Sequence, residues 1–334
     1  MGLSAWQFGF LLVLFISRYT GVIDWYFHLK NNSPLTKTPY QPKSNMMKIH
    51  KLIPTHIILI TLFNTIGCSA INNSNKLRNL GLEYQYIDIK EPRINRAHVL
   101  RVNLNNTKIR PSIIVARDPD GNGPAEAELT NPFKLAGNSK VLAFINTNPW
   151  DSFPNKEGKR NRDWFEGQPV DIDGLAISGG KIRSNTQPRE SSIWLNNEGQ
   201  FILGGKPGNE VAQEAMNGFQ LITKEGNIIV SPDNSIHPRT AIGTNKNGTV
   251  IWLVVVDGRQ KGYSEGMNLH ELASLMANLG CWNATNMDGG GSSIMGIVGS
   301  NGKIRTMNSP SDRFLGIKKI RPLPMILTIV KKAN

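Results

Sequence analysis

Two aspartates in the C-terminal third of the chain each follow a predicted strand and each begin a polar turn. Asp257 comes directly after Thr249–Val256 (TVIWLVVV), and Asp288 comes directly after Asn283–Met287 (NATNM). Two carboxylates that lie close together can divide acid, base and nucleophile roles at a glycosidic centre. These residue types are therefore candidates for hydrolytic chemistry on a sugar, provided that the fold brings them together.

The residues between the two aspartates predict how they are positioned. Asn268 and Glu271 form a capping box at the start of a helix, and Gly280 ends that helix. A strand, a helix and a second strand with short connections form a βαβ crossover, which joins parallel strands. Asp257 and Asp288 should then lie at the same edge of the sheet, where ligands of such sheets usually bind.

The run after Asp288 is suited to holding an anion. It consists of Gly289, Gly290, Gly291, Ser292 and Ser293. Glycines allow backbone amides to approach an anion closely, and the two hydroxyls lie beside them. No Lys follows, as a Walker loop requires, and Ile294 stands where a nucleophile elbow needs its second glycine. Three glycines also fit a simple tight turn, so the anion site depends on their position after Asp288.

Two arginines are candidate phosphate ligands. Arg239 and Thr240 belong to the run His237-Pro238-Arg239-Thr240, and Arg259 follows Asp257-Gly258. A planar guanidinium can hold a phosphate through two hydrogen bonds. The alternative is a structural ion pair between either arginine and one of the aspartates. The six histidines show no metal-ligand spacing, so we expect neither a metal site nor a cofactor.

The rest of the domain predicts short strands joined by turns. Apolar or alternating runs at 98–104, 113–116, 141–145, 175–182, 193–203 and 218–230 are typical of strands and hairpins. The fold class expected is α+β, with mixed, mainly antiparallel β-sheets, few helices and one βαβ unit at the active edge. Residues 151–173 have no clear period and are either a functional loop or a surface insertion.

The N-terminal residues resemble a targeting segment rather than part of the fold. Met46-Met47, Lys48 and Lys51 precede an apolar core that ends at Gly67-Cys68, which is typical of a bacterial lipoprotein signal. An ordinary signal peptide is the alternative. We expect residues 1–45 to be an over-extended N-terminus, 46–67 a signal peptide, 68–80 a tether and 81–331 the enzyme domain. Cys68 would carry the lipid that anchors the protein to the bacterial cell envelope, on the outer membrane or periplasmic face.

The positive charge does not indicate nucleic-acid binding. Of the formal +13, residues 1–67 contribute +5, which leaves +8 on the remainder. That remainder contains no dense Lys/Arg stripe interleaved with aromatic residues, as nucleic-acid binding would favour. An anionic substrate or an envelope surface is compatible with this balance.

The order HPRT, DGR, SEGM, helix and DGGGSS in residues 237–293 resembles the phosphodiester glycosidase family, which includes bacterial members labelled as exopolysaccharide-related. The resemblance implies hydrolysis of an N-acetylglucosamine-1-phosphate diester or a related sugar phosphodiester, with release of the sugar. It also implies that the site comprises Asn146, Arg239, Asp257, Arg259, Asp288 and Ser292. The run 147–150 departs from the family pattern, so the sugar pocket is expected to differ.

Two rival functions remain open from the sequence. A non-catalytic envelope protein that binds phosphorylated polysaccharide would use the same arginines and glycines but tolerate loss of the aspartates. A phosphodiesterase would cleave the P–O bond instead of the sugar C–O bond.

Overall fold

The computed structural model describes residues 75–332, apart from 138–139, 155–156, 161–162, 185–186, 197 and 205–211. The segments predicted as an over-extended N-terminus and a signal peptide, and the candidate lipidation site Cys68, lie outside the described residues.

The described residues form mostly short strands. In chain order these are β1 (Leu82–Ile89), β2 (Asn95–Asn103), β3 (Ile109–Val115), β4 (Ala127–Glu128), β5 (Val141–Asn146), β6 (Trp150–Ser152), β7 (Pro169–Ile172), β8 (Ala176–Ser178), β9 (Lys181–Ser184), β10 (Ser192–Leu195), β11 (Phe201–Leu203), β12 (Glu214–Asn217), β13 (Gln220–Lys224), β14 (Asn227–Ile228), β15 (Arg239–Thr244), β16 (Val250–Val256), β17 (Asn283–Asn286), β18 (Met295–Val298), β19 (Ile304–Thr306), β20 (Arg313–Phe314), β21 (Ile317–Lys318) and β22 (Met325–Lys331). The helices are α1 (Pro132–Leu135), α2 (Leu269–Asn278) and a 3-10 turn at Gly290–Ser292.

The apolar run of β16 is explained by two cores, one on each face of its sheet. Ile251, Leu253 and Val255 point into a core shared with the other sheets. The alternate residues of β16 point into a second core, which contains the buried face of α2. Because side chains of a strand alternate between faces, a strand covered on both faces must be apolar throughout.

The seven-stranded sheet that contains β16 has the order β1-β2-β16-β15-β17-β13-β14. Strands β16 and β17 each pair antiparallel with β15, which lies between them, so they run parallel to each other. The crossover through α2 therefore joins parallel strands, as expected, although they are not neighbours. The capping box of Asn268 and Glu271 is present at the start of α2.

Two five-stranded sheets complete the core. One has the order β19-β18-β5-β22-β3 and the other β11-β10-β12-β8-β9. Strand β5 is buried along its whole length and pairs with β18 and β22. Every strand pair recorded in these sheets is antiparallel. The predicted fold class, mainly antiparallel sheets with few helices, is confirmed.

The folded domain begins before the predicted boundary at residue 81. Residues 75–78 form a helical turn, and Leu77 and Leu80 pack against the main core. Part of the segment predicted as a tether is thus held by apolar burial. No helix among the described residues is long and apolar enough to cross a membrane.

Candidate active site

The sequence motifs meet at one edge of the seven-stranded sheet. Arg239 begins β15 and pairs with Val256, the last residue of β16, and Ala241 pairs with Asn286, the last residue of β17. The turns that follow β16 and β17 therefore lie on either side of the start of β15. Asp257 and Asp288 are placed at the same sheet edge, as predicted.

Glycines of three motifs allow their backbones to pack directly on His237-Pro238. A Cβ atom on Gly258 would lie 2.6 Å from the Pro238 nitrogen, and one on Gly266 would lie 2.5 Å from the His237 carbonyl oxygen. A Cβ on Gly289 would lie 2.8 Å from the carbonyl oxygen of Pro238. Only glycine permits these approaches without moving the backbone. The glycines of the DGR, SEGM and DGGGSS runs thus set the spacing of the site.

Asp257 is buried and its carboxylate is fully engaged by the protein. Its Oδ1 accepts hydrogen bonds from the Ser309 amide at 2.8 Å and from Asn308 Nδ2 at 3.2 Å. Its Oδ2 accepts from Tyr263 Oη at 3.2 Å and contacts His98 Nε2 at 3.3 Å. The side chain has no exposed surface. The catalytic role expected for Asp257 stays a prediction, and the contacts of its carboxylate are all with the protein.

His98 contacts Tyr84 on its other side. Tyr84 Oη lies 2.8 Å from His98 Nδ1, and burial raises the pKa of Tyr84 to about 12. The phenol therefore stays protonated and is able to donate to Nδ1. In that tautomer, His98 Nε2 carries the hydrogen that points to Asp257.

Asp257 is connected to the turn after Asp288 through Asn308. Besides its bond to Asp257, Asn308 Nδ2 donates to the Ser293 carbonyl oxygen at 3.0 Å, and Asn308 Oδ1 accepts from the Met295 amide at 3.0 Å. The buried carboxylate is thus linked by hydrogen bonds to the segment that holds the second turn in place.

Asn146, Thr240 and Ser293 form a second clamp on the same turn. Asn146 Nδ2 donates to the Asp288 carbonyl oxygen at 2.6 Å, and its Oδ1 accepts from the Ile294 amide at 3.1 Å. Thr240 Oγ1 lies within hydrogen-bond distance of both Asn146 Oδ1 and Ser293 Oγ. All three side chains are buried. In the structure they hold the turn through these hydrogen bonds, and their binding of substrate stays a prediction.

Asp288 is a partly exposed residue whose carboxyl is surrounded by protein atoms. Burial raises the pKa of this carboxyl to about 6. Ser292, Arg321 and the Gly289 amide oppose this rise, whereas Asp312 adds to it. A carboxyl with a perturbed pKa is typical of a catalytic group.

The turn after Asp288 uses several of its own amides. The amide of Gly290 donates to the Pro238 carbonyl oxygen at 2.9 Å, and those of Ser292 and Ser293 donate within the turn. Gly291 is left as the candidate amide donor to a ligand. Ser292 Oγ is buried without a hydrogen-bond partner, although it is near enough to the Asp288 carboxyl to lower the pKa of that group. An orphaned hydroxyl here is a candidate ligand contact.

The two arginines lie near each other and form no ion pair with either aspartate. Arg239 is buried and donates from Nε to the Met267 carbonyl oxygen at 2.7 Å and from Nη2 to that of Ser235 at 2.6 Å. Burial, with a smaller effect of Arg259, lowers the pKa of Arg239. Within the described part of the chain, neither guanidinium has a carboxylate within 4.0 Å.

Arg259 is the exposed member of this pair and faces the glycine turn. Its residue is exposed to solvent, and a Cβ atom on Gly290 would lie 3.2 Å from Arg259 Nη1. Arg259 Nη2 lies 3.2 Å from His237 Nδ1. Burial and the two arginines lower the pKa of His237, so the neutral ring accepts from Arg259 and helps to orient it.

Three further groups border the site and were not assigned to it from the sequence. Asp312 and Arg321 form an ion pair at 2.9 Å, and a side chain on Gly291 would collide with both. Trp164 lies 5.5 Å from the Arg321 guanidinium, measured from ring centre to Cζ. Part of the irregular stretch 151–173 thus borders the active edge. No spacing pattern in the sequence links these three residues.

The described residues contain no group of three or more His, Cys, Asp or Glu side chains arranged to hold a metal ion. Cys281 is a buried thiol in the core beside α2, where burial raises its pKa to about 12.

The family match decides how the chain is classified. The phosphodiester glycosidase family model matches residues 154–330, just over half of the chain, and so includes Arg239, Asp257, Arg259 and Asp288. The chain belongs to the phosphodiester glycosidase family. The family predicted from the sequence motifs is confirmed, and membership supports sugar-phosphodiester cleavage as the general class of activity.

Similar proteins agree with this classification at the level of the fold. One similar structure is the catalytic domain of zebrafish N-acetylglucosamine-1-phosphodiester alpha-N-acetylglucosaminidase, auto-inhibited by its pro-peptide. It is 21% identical to this chain, with a TM-score of 0.57, and the match covers 75% of this chain and 84% of that chain. A hypothetical protein from Synechocystis is 14% identical, with a TM-score of 0.50 over 75% of this chain and 62% of that one.

A curated relative matches over a short segment only. The SPbeta prophage-derived uncharacterized protein YomE of Bacillus subtilis (strain 168) is 42% identical over 66 residues. The match spans 20% of this chain and 10% of that protein.

Proposed function

We propose that this protein hydrolyses a sugar-1-phosphate diester of the N-acetylglucosamine-1-phosphodiester type and releases the sugar from an envelope or extracellular glycan. The observation that carries the proposal is the setting of Asp288. Its carboxyl, with a pKa raised to about 6, lies beside a glycine turn, and an arginine without a carboxylate partner among the described residues faces that turn.

The phosphate is held by the groups around the glycine turn. Arg259 offers a planar guanidinium over Gly290, and the Gly291 amide and the unpartnered hydroxyl of Ser292 are further donors. Arg239 is buried nearby, where two of its five N–H groups donate to backbone carbonyls; it contributes positive charge and its remaining donors. Donors fixed before the reaction stabilise negative charge as it grows on the leaving phosphate.

Asp288 acts at the anomeric carbon in its ionised form. A phosphate monoester is a stable anion when it leaves, so the reaction needs no strong acid to protonate it. It does need a nucleophile, or a base that activates water, at the sugar carbon. The carboxylate of Asp288 fills this role, and Asp257 keeps the surrounding loops in place.

The pH dependence of the rate follows from this assignment. The carboxylate of Asp288 forms only as pH rises through the raised pKa of about 6. We therefore expect kcat/KM to rise about tenfold per pH unit below that value and to level off above it. A rate that instead falls as pH increases through 6 would assign Asp288 as a general acid.

The bond that breaks is identified by hydrolysis in water enriched in heavy oxygen, with mass spectrometry of both products. Cleavage of the sugar C–O bond places the label on the sugar. Label on the phosphate would establish a P–O cleaving phosphodiesterase instead. No turnover with retained affinity for the diesters would favour a non-catalytic protein that binds phosphorylated polysaccharide.

We further propose that the protein is exported to the cell envelope and anchored there by a lipid on Cys68. The proposal is supported by the lipoprotein-like sequence around Gly67-Cys68. Metabolic labelling with palmitate tests it, because the label should be absent from the Cys68→Ser variant. Equal labelling of both proteins would refute the anchor.

A further inference from the structure

A short hairpin beside the active edge turns its apolar side chains to solvent. Strands β20 and β21 pair through Arg313 with Lys318 and Phe314 with Ile317. Phe314, Leu315 and Ile317 are 64%, 86% and 73% exposed. Three large apolar side chains on one small hairpin form a contiguous hydrophobic tip, unlike the scattered apolar residues of an ordinary surface.

The conformation of the tip makes its leucine unusual. Leu315 and Gly316 both have positive φ, at 49° and 79°. A two-residue turn of this kind favours asparagine, aspartate or glycine at its first position. Leucine is disfavoured there by its backbone conformation and, in water, by its exposed apolar side chain. A contact that buries the side chain would offset both effects.

The base of the hairpin is fixed to the active site. The Lys319 amide donates to the Asp312 carbonyl oxygen at 2.9 Å, and Arg313 Nη2 donates to Gln260 Oε1 at 2.8 Å. Asp312 in turn pairs with Arg321 over Gly291. Whatever surface the tip contacts is therefore held next to the glycine turn that follows Asp288.

Three cations lie at the base of the apolar tip. Arg313, Lys318 and Lys319 are all exposed, although Lys319 Nζ lies 4.1 Å from the Trp164 ring centre and Arg313 also donates to Gln260. The one carboxylate of residues 312–319, that of Asp312, is engaged by Arg321. An apolar tip with Lys and Arg at its base is complementary to the surface of a bilayer that contains anionic lipids.

We propose that residues 313–318 insert their tip into an anionic lipid surface and hold the active site at the membrane. Phe314, Leu315 and Ile317 enter the boundary between headgroups and acyl chains, while Lys318 and its neighbours contact lipid phosphates. The contact is measured by binding alone, so it stands or falls separately from the proposed hydrolysis.

The test places an environment-sensitive nitrobenzoxadiazole dye at the tip of the full chain. The labelled protein is the Leu315→Cys variant in a Cys68→Ser background, in which the other cysteine, Cys281, is buried. The matched control carries the dye at Glu225→Cys, the exposed tip of the β13–β14 hairpin. With vesicles of phosphatidylglycerol and phosphatidylcholine, we expect a blue shift and a several-fold rise in emission at position 315 only.

A second variant tests the energy of the contact while keeping the turn. Leu315→Asn suits the observed backbone, and it should weaken vesicle binding about tenfold by removing one buried apolar side chain. Lys318→Gln should weaken binding a few-fold on anionic vesicles and leave binding to pure phosphatidylcholine unchanged. Activity of Leu315→Asn on a small soluble diester should equal that of the unmodified chain.

Three results would overturn the proposal. One is a dye at position 315 that remains in a water-like environment on vesicles with which the protein co-floats. Another is unchanged vesicle affinity of Leu315→Asn. The third is a sedimentation experiment in which Leu315→Asn dissociates a dimer of the protein without altering vesicle binding. That result would show that the tip contacts a second copy of this chain.

Discussion

The Asp288→Asn variant is expected to lose at least about a thousandfold in kcat/KM on a sugar-1-phosphate diester while its fold is retained. The carboxylate supplies the nucleophile or base at the anomeric carbon, and an amide can do neither at a useful rate. The backbone around it does not depend on the charge, since Asn146 holds the turn through the Asp288 carbonyl oxygen. Initial rates at pH 8 over a range of substrate concentrations measure the loss.

The same variant should be more stable than the unmodified protein at pH 8. The pKa of Asp288 is raised from 3.8 to about 6 by burial, so its ionisation costs up to about 2 to 3 kcal/mol more in the folded protein than in the unfolded chain. Between pH 3.8 and about pH 6, the Asp288 carboxyl is protonated in the folded state and ionised in the unfolded chain. The free energy of unfolding therefore falls as pH rises through this range. Asparagine carries no charge and avoids this loss.

Thermal unfolding at two pH values separates this effect from general damage. A gain of roughly 5 °C is expected at pH 8, and it should vanish near pH 3.5, where the carboxyl is protonated in both states. An Asp288→Asn protein that is folded and fully active would remove this residue from catalysis. One that is inactive because it is unfolded would contradict the positioning of the turn by Asn146.

The placement of the site could be predicted from the sequence because its rules are local. Val250–Val256 is apolar at every position, which is typical of a strand covered on both faces. The helix that follows is defined by its capping box. A crossover of this length fixes strand direction, and strand direction alone puts Asp257 and Asp288 at one edge. The position of β15 between β16 and β17 could not be predicted. A crossover between neighbouring strands and one that skips a strand both leave β16 and β17 parallel.

The different fates of the two aspartates depend on contacts that are distant in sequence. Asp257 is surrounded by His98 and by Asn308 and Ser309, which come from separate parts of the chain. Nothing in the DGR run itself distinguishes an enclosed carboxylate from an open one. The position of Asp312 could not be predicted either. It lies beside Gly291 because of the path that the chain takes at the base of the β20–β21 hairpin.

The Asp257→Asn variant is expected to be destabilised by roughly 2 to 4 kcal/mol. Both carboxylate oxygens accept hydrogen bonds, from Ser309 and Asn308 on one side and from Tyr263 and His98 on the other. An amide must turn its NH2 group toward one of these sets of donors, which leaves buried groups unpaired. The melting temperature should fall by roughly 5 to 15 °C. Asp88→Asn, at an exposed aspartate paired with Lys90, is the matched control and should change little.

The kinetics of Asp257→Asn then decide between positioning and catalysis. If Asp257 only holds Asn308 and Ser309 in place, the variant retains a reduced rate below its melting temperature. Its kcat/KM should still rise through the pKa of Asp288, near pH 6, because the reacting carboxyl is unchanged. If Asp257 reacted with the substrate, the loss would match that of Asp288→Asn and the pH dependence would change with it. A folded Asp257→Asn protein without measurable turnover would therefore indicate that both aspartates take part in the reaction.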